Sequence, residues 1–429
     1  MRLLGWNCCI VGALVWIAVS GCNVYDSELI ETSLAGAPPR PPAETSSPAD
    51  AETLVFALKD IYIEQSAENA ARIGIDLDSL VTTGQDDASC QPRKVDGEVV
   101  GQAVVDGEKG IDNSLGATLL PAVGAVLPCL QDNLALTQGR GVGTVVLWVR
   151  GWNGQRNDAS VSAMLTTAVD GTSEDPSLVG YGRNSDVDLV YTRGPETENA
   201  PDPGWATQDW WYLDPEDFDQ DETGQPSLDL PNVTQADAYV AFGRLVLPLP
   251  PGTAFKLIAG DGSLPSDGAM NVVVNGGFMM GDLTEDRKGL EHGLFTGRFS
   301  IEKLGEATPD IGICAINATV IENLFGQYAD IQSLPDMDGS GEECDAFSLG
   351  VTFTGVAGQI AGVAPASRPK LAPCADGFDV PEDRCCPSEW LAGKTRTDTC
   401  DTAPKALKAA AFDRLPETVQ VPVPEPDFL

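Results

Sequence analysis

Histidine is almost absent from this chain of 429 residues, since His292 is the only one. A Ser-His-Asp hydrolase would have to use it, and its isolation argues against a histidine-rich metal centre. Positive charge is also scarce, because 26 lysines and arginines face 64 aspartates and glutamates, for a formal net charge of −38. Such a surface repels nucleic-acid phosphates, so we expect no nucleic-acid partner.

Familiar catalytic motifs are missing as well. The chain has no Walker A loop and no Rossmann fingerprint. The nearest analogue of a nucleophile elbow is Ser348, but the apolar residues after it are typical of a strand, whereas an elbow leads into a helix. The sequence therefore leaves enzymatic activity uncertain and favours a protein without it.

Long hydrophobic runs are absent apart from one short stretch near the start. Ile10–Val19 is apolar, but a membrane-spanning helix needs about 20 such residues. Arg2 precedes this run, and Val19-Ser20-Gly21-Cys22 ends it. Together these features resemble the signal and lipobox of bacterial lipoproteins.

The resemblance implies an address for the mature protein. Residues 1–21 would be a lipoprotein signal peptide, and an acylated Cys22 would hold the protein in a lipid bilayer outside the cytoplasm. In well-studied sorting systems an aspartate after the cysteine retains the protein in the inner membrane. Asn23 stands at that position, so the outer membrane is favoured over the inner.

The rest of the chain divides by composition. Residues 22–51 are polar and rich in proline, which predicts a tether. Residues 52–368 contain many short apolar runs separated by Gly, Pro, Asn and Asp, without βαβ alternation. This pattern predicts a mainly β fold, a β-sandwich or jelly-roll-like core, with one or two helices at 114–135 and 318–328. Residues 369–429 read as a small disulfide-rich appendage and an extended tail.

Cysteine usage agrees with an oxidising compartment. Beyond the signal and Cys22, eight cysteines remain, and their spacing lacks the paired pattern of zinc sites. Eight cysteines allow 105 connectivities. Proximity in the sequence favours Cys90–Cys129, Cys314–Cys344 and pairings among the last four. The eight candidates are Cys90, Cys129, Cys314, Cys344, Cys374, Cys385, Cys386 and Cys400.

The most motif-like segment of the mature chain runs from Asp106 to Gly116. Its DG-x-x-G-I-DN core resembles acidic loops of extracellular calcium-binding repeats, and also a stretch in uncharacterised secreted lipoproteins that carries no known activity. Clustered Asp and Asn oxygens are calcium ligands, so Asp106, Asp112 and Asn113 are candidate ligands of Ca²⁺. The alternative is a turn in which Asp112 caps a helix that begins near Ser114.

Two further loops match the first half of an EF-hand loop. Asp219 and Asp221 precede Gly224, and Asp336 and Asp338 precede Gly341. Neither loop has the glutamate at loop position 12, but each is a candidate for looser calcium binding.

Aromatic residues mark two candidate ligand sites. Trp152, Asn157 and Asp158 lie between two predicted strands and form either a ligand loop or a structural turn. Trp205, Trp210 and Trp211 lie near acidic residues, a combination found in glycan-binding proteins and in glycoside hydrolases.

These features favour a membrane-anchored extracytoplasmic lipoprotein that acts as a binding or envelope-structural module, with calcium as a possible structural ion. Its expected partners are the lipid bilayer and either a glycan or an envelope protein. A secreted, carboxylate-dependent glycan hydrolase or carbohydrate-binding protein is the alternative.

Overall fold

One large, predominantly antiparallel sheet dominates the computed structural model, which describes residues 37–43, 52–64, 66–84, 88–95, 97–99, 101, 103–123, 138–139, 141–173, 203–232, 235–258, 269–307, 325–364 and 367. The strands are β1 (Glu52–Tyr62), β2 (Lys94–Val95), β3 (Glu98–Val99), β4 (Thr144–Trp152), β5 (Asp158–Thr172), β6 (Trp210–Leu213), β7 (Phe218–Gln220), β8 (Pro226–Pro231), β9 (Gln235–Ala241), β10 (Arg244–Pro248), β11 (Thr253–Ile258), β12 (Ala269–Leu283), β13 (Gly289–Ser300), β14 (Ala346–Ala357) and β15 (Gln359–Val363).

The main sheet closes on itself. Its order is β15-β6-β5-β4-β1-β14-β13-β12-β10-β9, and β5 also pairs with β9. This additional pairing joins eight strands, from β5 through β1 and β13 to β9, into a barrel-like arrangement. The mainly β prediction is confirmed, and the facing layers of the core belong to one closed sheet.

Burial follows the alternation of side chains along each strand. On β4, Val145, Leu147 and Val149 belong to the largest apolar cluster, to which all eight strands of the closed sheet contribute. Val146 points the other way and belongs to a second cluster with Trp211. Both faces of β4 are therefore buried, which explains the unbroken apolar run from Val145 to Val149 within it.

A tight hairpin lies at Gly243. Phe242 (φ 56°) and Gly243 (φ 90°) connect β9 to β10. Two consecutive residues with positive φ are what a tight two-residue hairpin requires.

Helices are short and few in the described part of the chain. They are α1 (Ala67–Ala70), α2 (Leu120–Val123) and α3 (Ile301–Ala307). A π-helical stretch, Leu115–Leu119, runs into α2. The predicted helix at 114–135 therefore begins as a wide turn, at a place where Pro121 has no N–H to donate to the preceding turn. Residues 124–135 and most of 318–328 lie outside the described residues.

The disulfide pairing expected from sequence proximity is wrong for Cys90 and Cys344, which bond to each other across a separation of 254 residues. The chain segments around them run side by side, because Gln91 N–H donates to Glu342 O (2.7 Å) and Cys344 N–H donates to Gln91 O (2.8 Å). The fold brings distant segments together, so sequence distance does not predict the partner. The remaining candidate cysteines and Cys22 lie outside the described residues.

No helix among the described residues is long and apolar enough to cross a membrane.

Candidate functional site

The motif-like segment lies along residues 75–82, over the outer face of the closed sheet. Asp112 N–H donates to Ile75 O (3.0 Å), and Asp106 N–H donates to Thr82 O (3.0 Å). Thr82 N–H in turn donates to Asp106 Oδ2 (2.6 Å). These bonds hold two acidic stretches of chain next to each other.

Carboxylates from both stretches converge. One carboxylate oxygen from each of Asp76, Asp78 and Asp112 lies within 4.8 Å of the other two, close enough to share one metal ion. Asp112 is 3% exposed, whereas Asp76 and Asp78 are half-buried. We call Asp76, Asp78, Asp106 and Asp112 the acidic cluster.

The electrostatics of the acidic cluster are unfavourable for bare carboxylates. Burial raises the pKa of Asp112, and the charges of Asp330, Asp78 and Asp106 raise it further. Burial also raises the pKa of Asp106 to about 7, and that of the half-buried Asp330 to about 6. Because a buried negative charge needs compensation, this cluster must take up protons or a cation.

Internal cations do not supply that compensation directly. In the described part of the chain, no lysine or arginine forms an ion pair with a member of the acidic cluster. The buried Arg298 donates to Leu77 O (2.7 Å), but the same guanidinium binds both oxygens of Asp338 at 2.6 Å. One buried atom of the cluster, Asp76 Oδ1, has no hydrogen-bond partner.

Asn113 has a structural task beside the cluster. Its amide nitrogen donates to the carbonyls of Ala70, Ile73 and Gly350, and its Oδ1 accepts from the N–H groups of Gly116 and Gly350. With both polar atoms engaged, Asn113 is a poor calcium ligand and ties the loop to β14.

The helix cap expected of Asp112 is not formed. Asp112 Oδ2 accepts from Leu77 N–H (2.6 Å), and the N–H of Gly116 is bound by Asn113 instead. In the same segment, Gly107 packs so closely against the backbone that a larger residue does not fit there, because a Cβ atom would lie 2.0 Å from Ala71 O.

The two EF-hand-like loops do not join this cluster. Asp221 closes the turn between β7 and β8 by accepting from Thr223 and Gln225, with Asp219 exposed nearby. Asp338 is neutralised by Arg298, and Asp336 is exposed. Calcium binding at these loops stays a prediction, and the geometry favours the acidic cluster over both.

The candidate polar groups of the Trp152 loop form hydrogen bonds to other parts of the protein. Trp152 is 4% exposed, and its Nε1 donates to Gln155 O (2.9 Å). Asp158 accepts from the N–H groups of Asn153 and Ser160, and Asn157 Oδ1 accepts from Phe242 N–H (2.8 Å). The geometry is that of a structural turn, and a ligand role for the loop stays a prediction.

The tryptophan segment is likewise built into the fold. Trp211 is 1% exposed and contacts Trp205, with ring centroids 5.2 Å apart, while Trp210 is half-buried. Asp209 accepts from the N–H groups of Gly204 and Ala206. Lys256 Nζ lies 2.7 Å from both Asp214 and Glu216. The carboxylates near these aromatics are thus held by structural contacts.

The remaining catalytic candidates also have structural roles. Ser348 lies within β14 and donates its hydroxyl to Asp330, so it is not an elbow nucleophile. His292 is half exposed, and its Nδ1 lies 3.0 Å from Asp282 Oδ2.

Sequence reasoning missed Asp76 and Asp78, two of the three converging carboxylates. Their Asp-x-Asp spacing was a usable signal, because alternate residues of an extended segment point to the same side. Comparisons with models of protein families, with curated proteins and with solved structures find nothing that matches this chain.

Proposed function

We propose that this protein is an extracytoplasmic lipoprotein, held to a bilayer through acylated Cys22, whose β-rich domain is a binding or envelope-structural module stabilised by Ca²⁺. The calcium site consists of Asp76, Asp78 and Asp112, with Asp106 at its edge. The observation that carries the proposal is the convergence of three carboxylate oxygens within 4.8 Å.

Three features support calcium over protons alone. Calcium takes six to eight oxygen ligands, and acidic side chains are its usual protein ligands. The cluster has no ion-pair partner among the described residues, and Asp76 Oδ1 has a free acceptor position. Hydrogen bonds already hold the two stretches side by side, and a shared cation would add a link between the side chains of residues 76–78 and residue 112.

Export is supported by the Cys90–Cys344 disulfide. Disulfides persist in oxidising compartments and are rare in the cytosol, which agrees with the signal and lipobox resemblance. A module without catalysis is supported by the acids near the tryptophans, since Asp209, Asp214 and Glu216 are bound to backbone groups or to Lys256.

Calcium binding is tested on the mature protein by titration calorimetry and thermal unfolding. Calcium should raise the unfolding temperature relative to EDTA, because a ligand at 100 times its Kd stabilises the fold by about 2.7 kcal/mol. Asp78→Asn should weaken binding about tenfold or more, and Asp221→Asn, in the β7–β8 turn, should leave it unchanged. An unfolding temperature that is equal in calcium and EDTA would refute the metal site.

Lipid attachment is tested separately by expressing the full chain in a bacterial host with labelled palmitate. The wild type should incorporate label and partition into detergent, and Cys22→Ser should do neither. Cys90→Ser is the matched control, because it removes a cysteine that is not lipidated. Equal labelling of wild type and Cys22→Ser would disprove the anchor.

A further inference from the structure

Four prolines restrict a short segment of the predicted tether. Residues 37–43 read Ala-Pro-Pro-Arg-Pro-Pro-Ala. Proline fixes its own φ near −65°, and a residue before proline is excluded from the α region. These restrictions favour extended, polyproline II-like backbone at most positions of the segment, so it loses little entropy when it binds.

This segment is ordered against the domain. Tyr239 donates its hydroxyl to Pro39 O at 2.5 Å, across 200 residues of sequence. Two of the three rows along the segment are uniform in exposure, because Ala37, Arg40 and Ala43 are exposed and Pro39 and Pro42 are half-buried. The third row is mixed, with Pro38 half-buried and Pro41 exposed. A polyproline II helix has three residues per turn, so one ridge faces the domain and another faces solvent.

Tyr239 lies on the outer face of β9, next to the proline-rich segment. Its neighbours on β9, Ala238 and Val240, point into the closed sheet, so Tyr239 points outward. There it packs in an outer apolar cluster with Ile75 and Val246. Tyr239 is only 7% exposed, and burial raises its pKa to about 12, so its hydroxyl remains a donor at any physiological pH.

We propose that the outer face of β9 at Tyr239 is a binding site for proline-rich segments in polyproline II conformation, occupied in cis by Pro38–Pro42. An aromatic hydroxyl that donates to a proline carbonyl, beside one half-buried and one exposed row of residues, is a general mode of proline-rich peptide recognition. The segment beginning at Pro38 is therefore a ligand, and the unbroken tether predicted for residues 22–51 has a docked middle part.

Docking has a consequence that rests on the proposed lipid anchor. With the segment bound, the 15 residues from Asn23 to Ala37 connect Cys22 to the domain, instead of the 30 residues to Glu52. At roughly 3.4 Å per extended residue, the greatest reach falls from about 100 Å to about 50 Å. A proline-rich segment from another molecule that displaced the tether would lengthen the reach.

The site is tested with a fluorescent peptide of residues 35–45 and the full mature chain, with no lipid and no calcium, so that failure here leaves the proposed function untouched. In one variant, Pro38, Pro39, Pro41 and Pro42 are all changed to serine, which empties the site. Fluorescence anisotropy should show binding to this variant, and at least tenfold weaker binding to the wild type, whose own segment competes at a millimolar effective concentration.

Adding Tyr239→Phe to the emptied variant removes one hydroxyl and should weaken peptide binding about two- to tenfold. A peptide with its four prolines replaced by serine should not bind, and circular dichroism verifies that each variant is folded. The proposal is overturned if the emptied variant does not bind the peptide, if it binds no better than the wild type, or if Tyr239→Phe changes nothing.

Discussion

Two groups of carboxylates in this protein place negative charge in buried positions, and they differ in what compensates that charge. Asp214 and Glu216 share Lys256, whose Nζ lies 2.7 Å from each of them. The acidic cluster contains Asp112, which is as deeply buried as Asp214, yet no lysine or arginine of the described chain pairs with it. The first group is complete within the protein, and the second requires protons or a cation from solution.

The difference shows that the density of acids in a sequence is a poor guide to a metal site. Asp219, Asp221, Asp336 and Asp338 have the more familiar spacing, but one pair lies on a turn and the other includes a partner of Arg298. A carboxylate is available for a metal only where the fold leaves its charge uncompensated.

The largest effect on stability should come from removing the Cys90–Cys344 disulfide. Cys90→Ser with Cys344→Ser frees a loop of about 250 residues, so loop-closure entropy predicts a loss of about 5 kcal/mol in the free energy of unfolding. Urea denaturation measures this loss. A decrease in the free energy of unfolding of less than about 1 kcal/mol would show that the disulfide contributes little to stability.

Removing the lysine shared by Asp214 and Glu216 should have the second largest effect on stability. Lys256→Met leaves the buried Asp214 without its cation and should cost about 3 to 5 kcal/mol of stability in urea. Lys303→Met is the control, because Lys303 pairs with Glu306 at the exposed surface and its loss should have no measurable effect. Equal urea midpoints for Lys256→Met and Lys303→Met would contradict the inference that Asp214 depends on Lys256 for its compensation.

The acidic cluster should respond with the opposite sign. Asp112→Asn removes a carboxyl group whose ionised form three neighbouring acids oppose, and with it the cost of protonating that group on folding, while the side-chain oxygen can still accept from Leu77 N–H. In EDTA this variant should be more stable than the wild type by on the order of 1 kcal/mol. In calcium the order should reverse, because the variant lacks a ligand. A variant that is less stable in both buffers would disprove uncompensated charge.

The pH dependence of the metal-free protein tests the acidic cluster and Asp330. The raised pKa values of Asp106 and Asp330 mean that the folded state holds protons that the unfolded state has released, and their stabilisation is lost as pH rises from about 4 through 7. In EDTA, stability at pH 8 should therefore be lower than at pH 5, by up to about 4 kcal/mol before solvent screening, at about 1.4 kcal/mol for each pKa unit above pH 5. Calcium should reduce this slope, and a slope unaltered by calcium would count against the site.

Much of the strand pattern was predictable, since the runs that became β4, β5, β10 and β14 are short, rich in apolar residues and bounded by turn residues, as is typical of strands. The short β6, β7, β8 and β15 were not predicted, because their residues lack a clear period and pair only with strands that the fold brings near. The pairing of β15 with β6 is parallel and joins segments far apart in sequence.

At the candidate site, the residues predicted as calcium ligands overlap only in part with the carboxylates that converge in the structure. Asp106 and Asp112 were predicted as ligands and lie in the acidic cluster. Asn113, the third predicted residue, binds backbone groups instead. Asp76 and Asp78 come from a stretch about 35 residues earlier, and only tertiary contact brings them to Asp112.

By itself the sequence determined the mainly β class and the presence of disulfide bonding. These follow from side-chain period and cysteine content, both of which are local or compositional. Only the tertiary structure decided which cysteines pair, which carboxylates have a cation and where the proline segment binds. Those outcomes depend on which distant segments lie side by side, and a charge or thiol is matched by its nearest neighbour in space, not by its neighbour along the chain.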